Sequence, residues 1–105
     1  MALNIELELL SDETVISVAG DVDLYTSPEL RNAILNAIPK AAGRVAVNLS
    51  GVNYIDSSGV ATLVEGLRSA RKNDKAFVLV APSPAVSQVL ELAKLDSVFE
   101  VQPAS

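Results

Sequence analysis

The sequence contains no cysteine and no histidine. The absence of cysteine excludes disulfides and thiol nucleophiles, and zinc sites of the usual kind lose both of their commonest ligands. The absence of histidine excludes the common Ser-His-Asp triad. The chemistry open to the chain is therefore restricted to hydroxyls, carboxylates, amines and the backbone.

Aromatic residues and long apolar runs are also scarce. Only 4% of the 105 residues are aromatic although half are hydrophobic, which is typical of an α/β domain rather than of a disordered or ligand-stacking protein. No apolar run reaches the roughly 18 residues of a membrane-spanning helix. The start lacks the basic flank and apolar segment of a secretory signal. We therefore expect a cytoplasmic protein without a membrane partner.

The chain also has few positively charged residues. The chain has 8 Lys and Arg residues against 13 Asp and Glu residues, a net charge of −5. Nucleic-acid binding needs an electropositive face, so we expect no nucleic-acid partner. An acidic domain is better suited to a protein partner with a basic patch.

The periodicity of apolar residues predicts one α/β domain over residues 1–105. We predict five strands, at residues 3–10, 14–19, 45–49, 76–80 and 97–101. Three helices are predicted to begin near Thr26, Asp56 and Ser83. The first two strands form a hairpin and the later ones run parallel, which gives a mixed sheet of four to five strands with helices packed against it.

Local signals predict where several elements begin and end. Thr26 followed by Glu29 matches a capping box, with Thr26 or Ser27 as the cap. Gly20 is expected to end the second strand, and Ser50 with Gly51 to break the central one. The loops 21–25 and 50–59 should then meet at the carboxyl edge of the sheet.

The segment 56–59, Asp-Ser-Ser-Gly, follows the central strand and opens the second helix. Asp56 is the predicted N-cap, because its carboxylate can accept hydrogen bonds from the free amides of the first turn. Ser57 and Ser58 lie in that turn, where the helix dipole favours added negative charge. The meeting of the two loops also predicts that Asp23 lies near Ser57.

From these residues alone, several interpretations stay open. The segment 56–59 can be only a well-capped helix start, a constitutive binding surface, or the site of an enzyme. An enzyme with Ser57 or Ser58 as its nucleophile would need a lysine or carboxylate base, and the sequence places no lysine nearby. Asp21 and Asp23 can be turn-forming residues or a carboxylate pair for metal binding or acid–base chemistry.

Three stretches, in the same order and covering nearly the whole chain, carry a family resemblance. They are residues 20–30 (GDVDLYTSPEL), 56–59 (DSSG) and 81–86 (APSPAV). Together they resemble the signatures of bacterial anti-sigma factor antagonists, the single-domain members of the STAS family. The chain departs from the family pattern at Val60-Ala61, where leucine and glycine are frequent, and near Ala93, where a glycine is common.

The resemblance implies a switch protein without enzymatic activity or cofactor. The unphosphorylated form would bind an anti-sigma factor that is also a serine kinase and so free the sigma factor. Phosphorylation of Ser57 would abolish binding, and a serine phosphatase would restore it. A constitutive STAS scaffold is the alternative. The residues expected on the partner surface are Asp21, Asp23, Tyr25, Asp56, Ser58, Gly59 and Thr62.

Overall fold

The computed structural model describes residues 3–104 as a five-stranded sheet with three α-helices. The strands are β1 (Asn4–Leu9), β2 (Glu13–Val22), β3 (Arg44–Ile55), β4 (Ala76–Val80) and β5 (Glu100–Gln102). The helices are α1 (Ser27–Ala37), α2 (Ser57–Lys72) and α3 (Pro84–Leu92), and a 3₁₀ turn, Ile38–Lys40, follows α1. The predicted α/β class and mixed sheet are confirmed.

The strands follow one another across the sheet in chain order. β1 is antiparallel to β2, and β2 to β5 are parallel. The carboxyl ends of the parallel strands therefore share one edge of the sheet. Within residues 3–104, no helix is long and apolar enough to cross a bilayer.

The main core lies between the helices and one face of the sheet. Ile16, Val47 and Leu79 stand side by side on β2, β3 and β4 and are fully buried. Ile34 of α1 and Leu63 of α2 are fully buried in the same apolar cluster. Aliphatic side chains thus supply most of the core, in keeping with the low aromatic content.

Both predicted strand breaks were wrong. β2 continues through Gly20 to Val22, and β3 continues through Ser50 and Gly51 to Ile55. The pairing shifts register at two places, where β3 inserts an extra residue as a β-bulge. Gly20 accommodates the second bulge with a φ of 113°, which is easiest for a residue without a Cβ.

The prediction of a capping box at the start of α1 was also wrong. Thr26 occupies the N-cap position, but its side chain makes no capping hydrogen bond. Instead its hydroxyl accepts from the Asp23 amide at 2.9 Å and donates to the Asp21 carbonyl at 2.8 Å. The upstream turn therefore uses the hydroxyl that a capping box would need.

The third helix begins as predicted but the strand after it does not. The Ser83 hydroxyl accepts from the Val86 amide at 3.3 Å and so caps α3. Past its end, Lys94 has a φ of 60° in the left-handed conformation for which glycine is common. The last strand, predicted at 97–101, is shorter and lies at Glu100–Gln102, because residues 96–98 form a turn.

Replacing Leu63 by alanine tests the packing of α2. The side chain is fully buried, so its loss leaves a cavity and is expected to cost about 2–5 kcal/mol of unfolding free energy. Leu92→Ala is the control, since Leu92 is 77% exposed on α3 and its replacement should change stability by about 0.5 kcal/mol or less. Urea unfolding measures both. Equal, small losses would show that α2 does not face the core.

Candidate functional site

The ends of β2 and β3 bring the two predicted functional segments together. Val22 and Ile55 are register partners, and the Asp56 amide donates to the Val22 carbonyl at 3.2 Å. Asp23 follows Val22 directly, and Ser57 follows Asp56. The prediction that the two segments meet at this edge is confirmed, and Asp23 and Ser57 stand at neighbouring strand ends.

Asp56 caps α2 as predicted. Its backbone is extended, and its Oδ1 accepts from the amides of Ser58 at 3.0 Å and Gly59 at 3.4 Å. The same oxygen accepts from the Ser58 hydroxyl at 2.5 Å. One carboxylate therefore satisfies two amides that have no partner within the helix and also holds the second serine.

The two serines of the first turn differ in accessibility. Ser57 is the first residue of α2 and is exposed, whereas Ser58 is half-buried with its hydroxyl bound to Asp56. The first turn of α2 contains no acidic residue. Negative charge added at Ser57 would therefore meet the positive end of the helix dipole, with the Asp56 cap as the nearest acidic residue in sequence.

Asp23 organises the turn between β2 and α1. Its Oδ1 accepts from the amides of Tyr25 at 2.9 Å and Thr26 at 3.0 Å. The hydrogen bond from the Thr26 amide is the main cause that lowers the pKa of Asp23 below its ordinary value. The carboxylate thus has the turn-forming role that was one of its two interpretations.

The same turn displays apolar side chains to solvent. Leu24 is 67% exposed and Tyr25 is 88% exposed, and neither is needed to fill the core. Tyr54, the register partner of Asp21, is also exposed. Sequence reasoning missed Leu24 as a surface residue. The available signal was an apolar residue inside a polar turn, which for Leu24 was readable in the segment 21–25.

Gly59 and Thr62, both expected on the partner surface, lie beneath it. A Cβ on Gly59 would come within 2.6 Å of Ile55 Cγ1 and 2.7 Å of Val22 Cγ1. Thr62 is buried, and its hydroxyl donates to the Ser58 carbonyl at 3.0 Å. The two residues therefore let the first turns of α2 approach the strand ends closely, which positions Ser57 without exposing either side chain.

The remaining expected residues lie at or near the surface. Asp21, Asp23, Asp56 and Ser58 are partly exposed, and Tyr25 is almost fully exposed. In the part of the chain that the structure describes, no group of three or more acidic side chains could hold a metal ion. The Asp23 carboxylate is instead engaged by backbone donors, which leaves the metal-binding interpretation without support.

Comparison with known proteins identifies the family of this chain. Residues 5–102 match the family model described as Mlab, STAS domain. The sequence is 31% identical to the anti-sigma-B factor antagonist of Staphylococcus epidermidis over 101 residues, which cover 96% of this chain and 94% of that one. The chain belongs to the STAS domain family.

Solved structures show the same likeness. An anti-sigma factor antagonist from Mycobacterium paratuberculosis superposes with a TM-score of 0.88 at 27% identity, covering 97% of this chain and 86% of that one. The anti-sigma factor antagonist SpoIIAA in its unphosphorylated form gives 0.81 at 25% identity, covering 97% and 89%. The resemblance to anti-sigma factor antagonists is thus confirmed. Anti-sigma factor antagonists of the STAS family are regulatory binding proteins, and this chain is a regulatory binding protein rather than an enzyme.

Replacing Gly59 by alanine tests the close packing under the serines. Helix propensity alone predicts a gain of about 1 kcal/mol, whereas the contacts with Ile55 and Val22 predict a loss of about 1–3 kcal/mol from overpacking. We expect the loss, measured by urea unfolding. Ser57→Ala, at an exposed position of the same turn, should change stability by about 0.5 kcal/mol or less. A more stable Gly59→Ala variant would contradict the packing described here.

The lowered pKa of Asp23 predicts an acid-sensitive turn. In the unfolded chain the carboxyl regains a pKa of about 3.9, so around that pH the unfolded state binds more protons than the folded state. The contribution to stability is present above this value and is lost as pH falls through the lowered folded pKa. Asp23→Asn keeps an acceptor oxygen but does not titrate. Thermal unfolding should therefore show a larger acid-induced loss in the natural protein than in the variant, and equal losses would contradict the assignment.

Proposed function

We propose that the protein is an anti-sigma factor antagonist regulated by phosphorylation of Ser57. The unphosphorylated form binds an anti-sigma factor that is also a serine kinase, and the sigma factor is released. Phosphorylation by that kinase ends the binding, and a serine phosphatase restores it. The observation that carries the proposal is that Ser57 is exposed at the carboxyl edge of the sheet, where neighbouring residues are acidic or are exposed apolar side chains. The names of its relatives support the role.

The hydrogen bonds of the first turn favour Ser57 over Ser58 as the phosphate acceptor. The Ser58 hydroxyl donates to Asp56 at 2.5 Å, so a kinase would have to break this contact and place a phosphate against a carboxylate. Ser57 is exposed and needs no such rearrangement. The two side chains also point about 100° apart around the helix axis, as 3.6 residues per turn requires. A kinase that binds with its active site at one hydroxyl therefore does not reach the other.

Phosphorylation at this position can block a partner without unfolding the domain. The phosphate brings about −1.5 to −2 charges to the amino end of α2, where free amides and the helix dipole tolerate negative charge. The core beneath this turn depends on the close contact of Gly59 with Ile55 and Val22, whereas the Ser57 residue is exposed. The effect therefore falls on the partner contact, through repulsion and the cost of desolvating the charge.

The surface around Ser57 indicates the chemistry of its partner. Leu24, Tyr25 and Tyr54 offer exposed apolar area, and the last two are of a residue type enriched at the energetic centres of interfaces. Asp21, Asp23 and Asp56 belong to the same two segments and are partly exposed, in a chain whose net charge is −5. We infer an anti-sigma face with an apolar centre and a basic rim. Because sigma factors act with RNA polymerase, we expect the complex in the cytoplasm.

Substitutions at the two serines test the switch. Ser57→Ala removes the acceptor but little surface, so it should bind the anti-sigma kinase with unchanged affinity and resist inactivation by ATP. Ser57→Asp places a permanent charge in the contact and should weaken binding about tenfold, or about 1.4 kcal/mol. Titration calorimetry measures the affinities, and intact mass after incubation with kinase and ATP measures phosphate incorporation.

Ser58→Ala is the matched control, because it changes the neighbouring hydroxyl and leaves Ser57 in place. It should still take up phosphate, and circular dichroism should show that all three variants are folded. Phosphate on Ser58 alone, or equal affinities of the Asp and Ala variants at position 57, would contradict the switch. Binding that is insensitive to both substitutions and to ATP would instead indicate a constitutive scaffold.

A further inference from the structure

The outer edge of β1 is open to another strand. Within residues 3–104, β1 pairs with β2 on one side only. The Leu10 amide donates to the Glu13 carbonyl at 2.8 Å, and hydrogen-bonded pairs alternate along an antiparallel ladder. Glu8 and Glu6 therefore direct their backbone groups toward β2. Leu7 and Leu9, which alternate with them, direct theirs toward the open edge.

The same two leucines line an apolar groove beside that edge. Their side chains lie on the helix face of the sheet, since they pair with Ile16 and Thr14, yet Leu7 is 58% exposed and Leu9 is 77% exposed. A groove of about 370 Å³ separates them from Ala37 and its neighbours on α1. Two exposed leucines next to unpaired backbone groups are a combination that soluble proteins usually avoid at a sheet edge.

The opposite face of β1 is acidic. Glu6 and Glu8 are exposed there, opposite Ser17 and Val15 of β2, neither of which carries a charge. The edge thus offers free backbone groups, an apolar groove on one face and two carboxylates on the other. Because side chains alternate between the faces of a strand, an added strand would need apolar and basic residues in alternation.

We propose that the β1 edge binds an extended segment of a partner protein in which apolar residues alternate with lysine or arginine. The segment adds a sixth strand to the sheet, its apolar side chains enter the groove of Leu7 and Leu9, and its basic side chains face Glu6 and Glu8. Lys40 lines the groove, so a register that placed basic residues on that face would be repelled. The charges therefore select the face of the sheet on which the basic side chains lie.

A second copy of this chain does not fit the same edge. An antiparallel pairing of two β1 strands that is centred on residue 6, 7 or 8, and so overlaps along most of the strand, places Glu6 or Glu8 opposite itself or places the two opposite each other. Like charges directly opposite across two strands are destabilising. The acidic face that suits a basic segment thus disfavours self-association, and the partner is a different protein.

The proposed surface is separate from the serine switch. Leu7 and Leu9 pair with Ile16 and Thr14, which lie toward the start of the parallel part of β2. Ser57 follows the carboxyl end of β3, the central strand, and therefore lies at the opposite end of the strands. The binding proposed here therefore does not depend on the phosphorylation state of Ser57. It can be tested independently of the proposed function.

A blocked synthetic peptide of alternating lysine and valine is the probe. Titrated into the ¹⁵N-labelled full chain, it should shift the amide resonances of Leu7 and Leu9 most strongly, because these amides gain hydrogen bonds. A peptide of the same composition, with lysines and valines in two separate blocks, should bind at least about tenfold more weakly. Ser57→Asp should leave the affinity of the alternating peptide unchanged.

A pair of matched charge variants separates local recognition from net charge. Glu6→Lys with Glu8→Lys should weaken peptide binding about tenfold or more. Glu91→Lys with Asp96→Lys changes the net charge equally at exposed residues elsewhere. This second double variant should change the affinity for the peptide about twofold or less. The proposal is overturned if both double variants weaken binding equally, if the block peptide binds as well, or if the β1 amides do not respond. Concentration-dependent shifts of these amides without peptide would point to self-association and would also overturn it.

Discussion

The pairing of β2 with β3 to their last residues is the constraint on which the site depends. Val22 and Ile55 are register partners, and the Asp56 amide donates to the Val22 carbonyl. Gly59 then lets α2 sit directly on both side chains. This contact fixes where α2 begins, and the Asp56 cap fixes which serine is bound and which is exposed. A regulatory surface is thereby built on rigid strand ends although its exposed groups lie in turns.

The features predicted correctly from sequence are those that neighbouring residues decide. Asp56 and Ser83 cap their helices because each hydroxyl or carboxylate meets amides two or three residues downstream. The strand and helix order follows from apolar periodicity, which is the same whichever neighbours a segment finally contacts. Family resemblance added the function, which composition and periodicity alone left open among three classes.

Most of the errors lie where the outcome depends on distant residues. Gly20, Ser50 and Gly51 are local strand breakers, but the pairing of β2 with β3 continues past them, with two bulges in β3. Thr26 is a local exception: the capping box assigned its hydroxyl to α1, but that hydroxyl instead contacts the Asp23 amide and the Asp21 carbonyl, three and five residues upstream. The burial of Gly59 and Thr62 depends on how closely α2 approaches the sheet, which no local pattern determines. In the strands and beneath α2, a tertiary contact thus overrides a local preference.

The most direct test of the account is a hydrogen-exchange footprint of the full chain bound to its anti-sigma factor. Complex formation should protect the amides of residues 23–26 and 54–58, and phosphorylation should remove this protection while the exchange of the core strands stays unchanged. Protection confined to other parts of the sheet, with residues 23–26 and 54–58 exchanging as in the free protein, would contradict the assignment of this surface.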